Sequence, residues 1–194
     1  MLTDFLVIIT ILFWIVIPIF WIPVHFAIKF FKKLGLLTYL VPVVAWMPIA
    51  YLIYKNRIYL LQFRVDLPIS LNISGALFLL FGIFLHIWTA RLLGLWGIIG
   101  VPEVYYAVKE RLVTEGPFSV VRHPTYLAHT FIFLGVFLVT GVISVGIMVL
   151  LDFIIVNAVI IPLEEKELLS RFGEEYKVYK KNIPARFFPW FRGK

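Results

Sequence analysis

The residues best suited to chemistry stand together just before a long apolar run, at Arg122-His123-Pro124. Proline is favoured in the first turn of a helix, so we expect a helix to begin here. The free N–H groups and positive end of a helix start attract carboxylates or phosphates, and a neighbouring cation adds to that attraction. The tripeptide therefore predicts an anion site at the lipid boundary. The alternative is a plain cationic anchor at the membrane interface.

A second ionisable cluster, Glu164-Glu165-Lys166-Glu167, follows the next apolar run. Glu164 is closest to that run, so we expect its carboxylate to face the bundle and to belong to the site. Glu165 and Glu167 fit the solvated first turn of a helix, in which Glu167 pairs with Arg171 four residues later. Only Glu164 of this cluster is therefore predicted to take part in chemistry.

Further polar residues lie inside the apolar runs. His25, His86 and His129 share no metal-ligand spacing, and we expect them to be hydrogen-bonded bundle residues rather than ligands. Asp152 is a carboxylate at membrane depth and so a functional candidate, although a polar link between helices is the plainer account. The sequence contains no P-loop, no Gly-rich dinucleotide fingerprint and no Gly-x-Ser-x-Gly elbow.

The composition indicates that the structural elements which hold these residues in place are surrounded by lipid. Apolar residues make up 62% of the chain and charged residues 15%, against about 45–50% and about 25% in soluble domains. The absence of cysteine excludes disulfides and thiolate metal sites. The formal net charge is +7, and the lysines and arginines cluster at the ends of apolar runs. This placement is typical of membrane proteins rather than of nucleic-acid-binding proteins.

The apolar runs predict an all-α, polytopic membrane helical bundle with about five crossings. Three uncharged stretches lie at 5–28, 34–54 and 67–90. A polar, turn-rich segment follows at 91–122. The next run, 123–163, would make a helix about 60 Å long at about 1.5 Å per residue, about twice the hydrocarbon thickness. We therefore expect a helical hairpin that reverses at Thr140-Gly141.

The C-terminal part predicts a membrane-surface element. Apolar residues recur at helical spacing from Leu168 to Ile183, which indicates an amphipathic helix that Pro184 ends. The aromatic and cationic tail at 186–192 is typical of an interfacial anchor. We divide the chain into an N-terminal region of three spans, 1–98, and a C-terminal region, 99–194, that carries the chemistry.

Charge placement predicts the orientation. With five crossings, all lysines and arginines except Lys55, Arg57 and Arg64 lie on the side of the C-terminus. The positive-inside rule assigns that side to the cytosol. We therefore expect the site and the C-terminus to face the cytosol.

Several short motifs follow one another at fixed spacing between residues 103 and 189. They are Leu112-Val113-Thr114, Gly116-Pro117-Phe118, Arg122-His123-Pro124-x-Tyr126, Glu164-Glu165 and Phe172-Gly173-x-x-Tyr176-x-x-Tyr179. In combination and spacing they resemble the isoprenylcysteine carboxyl methyltransferase family and, more distantly, the phospholipid methyltransferases. The chain is similar to a compact prokaryotic member, which implies a location in a prokaryotic cytoplasmic membrane.

The resemblance implies an enzyme that uses S-adenosylmethionine to methylate a lipophilic or prenylated acceptor, such as an isoprenylcysteine carboxylate, beside membrane lipid and without nucleic acid. It implies catalytic roles for Glu164 and Arg122. The cofactor-binding residues that it implies are Glu103, Tyr106, Glu110, Leu112, Val113, Phe118, His123, Pro124 and Tyr126. No metal is implied.

Residue chemistry is compatible with those roles. Leu112, Val113 and Phe118 offer an apolar wall for adenine, and Glu103 or Glu110 offers acceptors for ribose hydroxyls or an ammonium group. If the acceptor is a carboxylate, Glu164 orients it or stabilises the sulfonium, and Arg122 or His123 clamps a carboxylate. If the acceptor is an amine, Glu164 becomes a candidate base.

Two other functions fit parts of the pattern. A membrane reductase of the sterol type that uses NADPH has a similar C-terminal pattern and would have to bind a nicotinamide cofactor. A non-enzymatic lipid-binding protein would keep the bundle and bind neither cofactor.

Overall fold

The computed structural model describes residues 2–105 and 111–188, and within those ranges every regular element is helical. Four segments are long and apolar enough to cross a membrane: Leu2–Phe26, Ile28–Lys55, Ile69–Val104 and Ile143–Phe172. A shorter apolar helix, Pro124–Thr140, has 17 residues, so it is about 26 Å long and covers most of the hydrocarbon thickness. The predicted all-α membrane bundle is confirmed.

The N-terminal region begins with two long apolar helical segments, Leu2–Phe26 and Ile28–Lys55. Its helices are α1 (Leu2–Trp14), α2 (Val16–Phe26), α3 (Ile28–Leu34), α4 (Leu40–Lys55) and α5 (Arg57–Leu61). Large apolar side chains on α4 point away from the protein, and Val44, Met47 and Tyr51 are each more than half exposed. A contiguous apolar face of this kind requires lipid rather than water around it.

Helix α6 (Ile69–Ile98) is longer than the sequence predicts. The polar segment was expected to start at Arg91, but the helix continues past it and α7 (Val101–Val104) follows almost directly. One charged residue does not end a helix whose backbone hydrogen bonds are intact. The interruption comes instead at Gly94, where φ is 73° and ψ is 170°.

Helices α6 and α8 (Pro124–Thr140) pack along a glycine seam. A Cβ at Gly135 would lie 2.6 Å from the backbone nitrogen of Leu79, and one at Gly82 would lie 2.9 Å from the carbonyl oxygen of Ala128. Only glycine allows such close approach of two helix backbones. The seam therefore fixes the two helices that flank the central polar segment.

The predicted helical hairpin is confirmed. Helix α8 ends at Thr140, Gly141 takes a left-handed φ of 64°, and α9 begins at Ile143. Left-handed glycine directly after a helix is a common C-terminal cap. A Cβ on Gly141 would lie 2.2 Å from the carbonyl oxygen of Val65, so the turn packs against the loop between α5 and α6.

The last crossing continues further than expected. It consists of α9 (Ile143–Ile155), a π-helical segment (Val156–Ile160) and α10 (Ile161–Phe172). The wider π turn lies directly before Pro162, which has no N–H and cannot complete an ordinary helical bond. The expected single surface helix is instead the end of α10, a break at Gly173 with φ 54°, and α11 (Glu174–Asn182).

Candidate active site

A cavity of about 380 Å³ lies between the end of α6, the segment 111–118, the start of α8, and helices α10 and α11. Most of the predicted site residues line it: Glu103, Leu112, Val113, Phe118, Arg122, His123, Tyr126 and Glu164. Pro124 is buried at the start of α8 and does not line the cavity. Tyr106 and Glu110 fall outside the described residues, as does the tail from Pro189.

His123 and Glu164 face each other in this cavity. His123 precedes the first residue of α8, and Glu164 lies in the first turn of α10. The distance from His123 Nδ1 to Glu164 Oε2 is 3.6 Å, which is an ion-pair contact but too long for an ordinary hydrogen bond. The Tyr126 ring stacks against the His123 ring at 6.1 Å between centroids.

The electrostatic environment of His123 favours its charged form. Burial alone would lower the pKa of this histidine, but the Glu164 carboxylate opposite and a contact with Glu165 Oε1 at 3.4 Å raise it above its ordinary value. Two carboxylates beside one imidazole favour an imidazolium. The Glu164 carboxylate in the cavity and the Glu165 carboxylate behind it therefore both stabilise the charged form of His123.

Arg122 has internal partners where the sequence predicts a ligand carboxylate. Its Nε and one terminal nitrogen donate to Glu165 Oε1 at 2.9 and 2.7 Å, and the other nitrogen donates to the carbonyls of Ile183 and Pro184. All three guanidinium nitrogens are thus engaged within the protein. Arg122 ties the start of α8 to α10 and to the chain after α11.

The expectation that Glu165 is a solvated first-turn residue is wrong. Its exposed fraction is 5%, and Lys180 Nζ donates to its second oxygen at 2.7 Å. Glu167 does pair with Arg171, at 3.2 Å, but it too is buried. Glu165 supports the site from behind the cavity and was missed by sequence reasoning, because its partners come from the residues before α8 and from α11, both distant in sequence.

Helix α11 covers the cavity. Tyr179 donates to the carbonyl oxygen of Phe118 at 2.8 Å, and the backbone N–H of His123 donates to the carbonyl of Arg186 at 3.1 Å. The Tyr176 hydroxyl is buried and has no hydrogen-bond partner among the described residues, and burial raises its pKa. A bound molecule in the cavity could supply that partner.

The N-terminal helices contribute a further wall. His25 Nδ1 lies 3.6 Å from Glu103 Oε2, the imidazole stacks on Trp21, and Trp21 in turn lies over Gly100. Lys32 reaches Glu167 at 3.8 Å. The N-terminal region therefore helps to form the site, although the motifs that resemble the methyltransferases all lie after residue 102.

The expectation that the three bundle histidines are hydrogen-bonded is wrong for His25, and for His86 and His129 it fails at one ring nitrogen. Neither ring nitrogen of His25 has a hydrogen bond to a described residue, and neither does Nδ1 of His86 or of His129. Asp152 behaves as the plainer account predicted, because Trp14 Nε1 donates to it at 3.0 Å and joins α1 to α9. Within 2–105 and 111–188 no group of three metal-ligating side chains is found.

Comparison with known proteins gives a family. The chain is 31% identical over 113 residues to the cobalt-zinc-cadmium resistance protein CzcN of Cupriavidus metallidurans, an alignment that covers 53% of this chain and 51% of that protein. It thus spans about half the length of this curated relative. Residues 71–175 match the model of the phospholipid methyltransferase family. This match covers more than half of the chain and contains α8, the His123–Glu164 pair and nearly all of α6 and α10, so the chain belongs to the phospholipid methyltransferase family of membrane methyltransferases.

Proposed function

We propose that the protein transfers a methyl group from S-adenosylmethionine to a lipophilic acceptor, such as the carboxylate of an isoprenylcysteine-like molecule. The observation that carries the proposal is the His123–Glu164 pair, 3.6 Å apart in a cavity that is apolar on one side and ionisable on the other. A cavity of about 380 Å³ falls in the range of roughly 300–1,000 Å³ that is usual for small-molecule sites.

The residues present fit the cofactor. Leu112, Val113 and Phe118 supply an apolar wall for adenine, and the Glu103 carboxylate supplies acceptors for ribose hydroxyls or the ammonium group. His123 and the N-terminal end of α8 supply positive charge for the methionine carboxylate. When bound, this cofactor supplies an electrophilic methyl group on a sulfonium sulfur.

Glu164 is proposed to act at the reacting end. A buried carboxylate stabilises a nearby positive charge more strongly than it would in water. In methyl transfer to a carboxylate, the carbon–sulfur bond breaks as a carbon–oxygen bond forms, and no proton moves. The site then needs no base, and alignment of the reactants accounts for about 7–11 kcal/mol of barrier reduction in favourable cases.

Arg122 is proposed as a positioning residue rather than as a clamp on the acceptor. Its contacts with Glu165, Ile183 and Pro184 hold α8, α10 and the chain after α11 together. That arrangement keeps Tyr176 and Tyr179 over the cavity, where they limit access of water. Exclusion of water strengthens the electrostatic interactions inside such a site.

The acceptor is proposed to come from the membrane. The cavity is built at the ends of apolar crossings, so a lipid tail can remain in the hydrocarbon while its polar end reaches Glu164. The positive-inside rule favours a cytosolic site in a prokaryotic cytoplasmic membrane. The partners are then a membrane-embedded or prenylated acceptor and the surrounding lipid, with no nucleic acid.

Calorimetric titration of the protein in lipid nanodiscs tests the cofactor. We expect S-adenosylmethionine and its demethylated product to bind and NADPH not to bind. Binding of NADPH alone would support the reductase alternative, and binding of neither would support a non-enzymatic lipid-binding protein. Label transfer from S-adenosylmethionine to a prenylcysteine, a phospholipid and a small thiol, offered separately, then identifies the acceptor class.

A further inference from the structure

Two histidines line the cavity and have no role in the chemistry proposed so far. His86 lies on α6 and His129 on α8, and their ring centroids are 4.9 Å apart. Both side chains are partly exposed. They meet one helical turn beyond the close contact of Gly82 with α8, where the glycine seam ends and the cavity begins.

The pair lies on the membrane side of the cavity. His129 is six residues into α8 from His123, and His86 is seven residues before Leu93 on α6. At about 1.5 Å per residue, the His129 imidazole lies about 9 Å deeper in the bundle than His123, and the His86 imidazole lies about 10 Å deeper than Leu93. The ionisable cluster of His123 and Glu164 therefore lies towards the aqueous end, and the histidine pair lies towards the hydrocarbon.

Neither imidazole is satisfied by the protein. Nδ1 of His86 and Nδ1 of His129 are buried without a hydrogen bond to any residue in the described ranges. A neutral imidazole has one donor and one acceptor nitrogen, and buried polar groups without partners are rare in native proteins. A molecule in the cavity that these two residues line could supply the missing hydrogen-bond partner in the plane of each ring.

Tyr126 connects the two ends of the cavity. Its ring lies 6.1 Å from the His123 ring and 6.3 Å from the His129 ring, between centroids. A molecule whose reacting atom lies beside Glu164 must therefore pass Tyr126 and the histidine pair before its tail reaches the hydrocarbon. Its polar group nearest the tail would meet the two imidazoles.

We infer that His86 and His129 form an acceptor-binding subsite for a neutral hydrogen-bonding group, such as an amide, about 9–10 Å from the reacting atom of a lipophilic acceptor, where its tail begins. A neutral group suits this depth, because a charge there would lose its hydration without a described counter-ion. The inference rests on the proposed function and names the chemistry of the acceptor that the site selects.

Two acceptors of equal chain length that differ only in an amide at that distance from the carboxylate provide the test: N-dodecanoyl-6-aminohexanoate and nonadecanoate. For the wild-type enzyme we expect kcat/KM to favour the amide acceptor by about five- to tenfold, the usual effect of a hydrogen bond. His86→Phe and His129→Phe keep the ring volume, and each should reduce that preference to about twofold or less. His129→Gln restores a polar end group and should recover most of it.

Thr140→Val is the matched control on α8, since Thr140 hydrogen-bonds its own helix at Val136 and does not line the cavity. It should keep the wild-type preference. The inference is overturned if the wild-type enzyme shows no preference, or if both phenylalanine variants retain it. It is also overturned if the variants weaken cofactor binding as much as they weaken selectivity, since that indicates a collapsed cavity.

Cofactor binding by the wild-type protein separates this inference from the proposed function. Failure to bind S-adenosylmethionine contradicts the proposed function. Normal cofactor binding with methylation of neither acceptor contradicts the amide subsite and leaves methyl transfer to another acceptor class standing.

Discussion

Arg122 and Glu165 form a buried ion pair in which two guanidinium nitrogens share one carboxylate oxygen, at 2.9 and 2.7 Å. The exposed fraction is 7% for Arg122 and 5% for Glu165, so water screens the pair very little. Because the same guanidinium also binds the carbonyls of Ile183 and Pro184, one pair fixes the relative positions of α8, α10 and the chain that follows α11.

Glu165→Ala is expected to destabilise the protein strongly. The substitution leaves the Arg122 guanidinium buried without its counter-ion, and removal of one partner of a buried pair costs about 3–5 kcal/mol. Thermal unfolding in detergent, followed by tryptophan fluorescence, measures the change. Glu175→Ala is the control, because Glu175 is exposed on α11 and should have little effect. Equal unfolding temperatures for the two variants would contradict the structural role of the pair.

Stability is expected to depend on the protonation of His123. The carboxylates of Glu164 and Glu165 raise the pKa of this histidine above its ordinary value despite its burial. Its favourable ion pairs are therefore fully present below about pH 6.5, the pKa in an unfolded chain, and are lost as pH rises through the raised folded value. Unfolding temperature should fall over that range for the wild-type protein. His123→Gln should flatten the dependence of the unfolding temperature on pH. An unchanged slope in this variant would contradict the proposed contribution of His123 to stability.

Gly135→Val is expected to separate α6 from α8. The added side chain meets the backbone of Leu79 and the carbonyl of Gly75, neither of which can rotate away. Overpacking of this kind costs about 1–3 kcal/mol. Gly97→Ala is the milder control, since its Cβ meets only the Leu93 side chain, at 3.2 Å. A Gly135→Val protein as stable as Gly97→Ala would show that the seam is not tight.

The N-terminal wall makes its own prediction. His25→Phe keeps a ring against Trp21 but removes the polar contact to Glu103, which lies in the proposed cofactor site. We expect S-adenosylmethionine affinity to fall about two- to fivefold, because Glu103 loses the 3.6 Å polar contact that helps to position its carboxylate. Calorimetric titration measures the affinity. Thr10→Val is a buried control, because Thr10 bonds only its own helix, at Leu6, and it should bind normally.

Features that depend on local composition were predictable from sequence. The apolar crossings, the reversal at Gly141 and the end of the final helix before Pro184 all follow from length, glycine conformation and the missing proline N–H. Only the family resemblance indicated that one site contains Leu112, Phe118, His123 and Glu164, since no local rule brings these residues together.

The roles of adjacent glutamates were not predictable from local pattern. Glu164 and Glu165 point in directions about 100° apart around α10, and only the packing of α8 and α11 determines which one meets His123 Nδ1 and which one meets Arg122. The same holds for His86 and His129, whose spacing in sequence gives no hint that the glycine seam brings their rings together.

Methyl transfer by Glu164→Gln tests the central claim most directly. Initial rates of label transfer from S-adenosylmethionine to the best acceptor are compared for the wild-type protein, Glu164→Gln and Glu174→Gln, whose glutamate is 82% exposed at its side chain on α11. We expect Glu164→Gln to lower kcat about 100-fold, the scale for loss of one preorganised electrostatic contact, with Glu174→Gln unchanged. A Glu164→Gln enzyme that keeps full turnover would contradict the proposal that this carboxylate acts in the reaction.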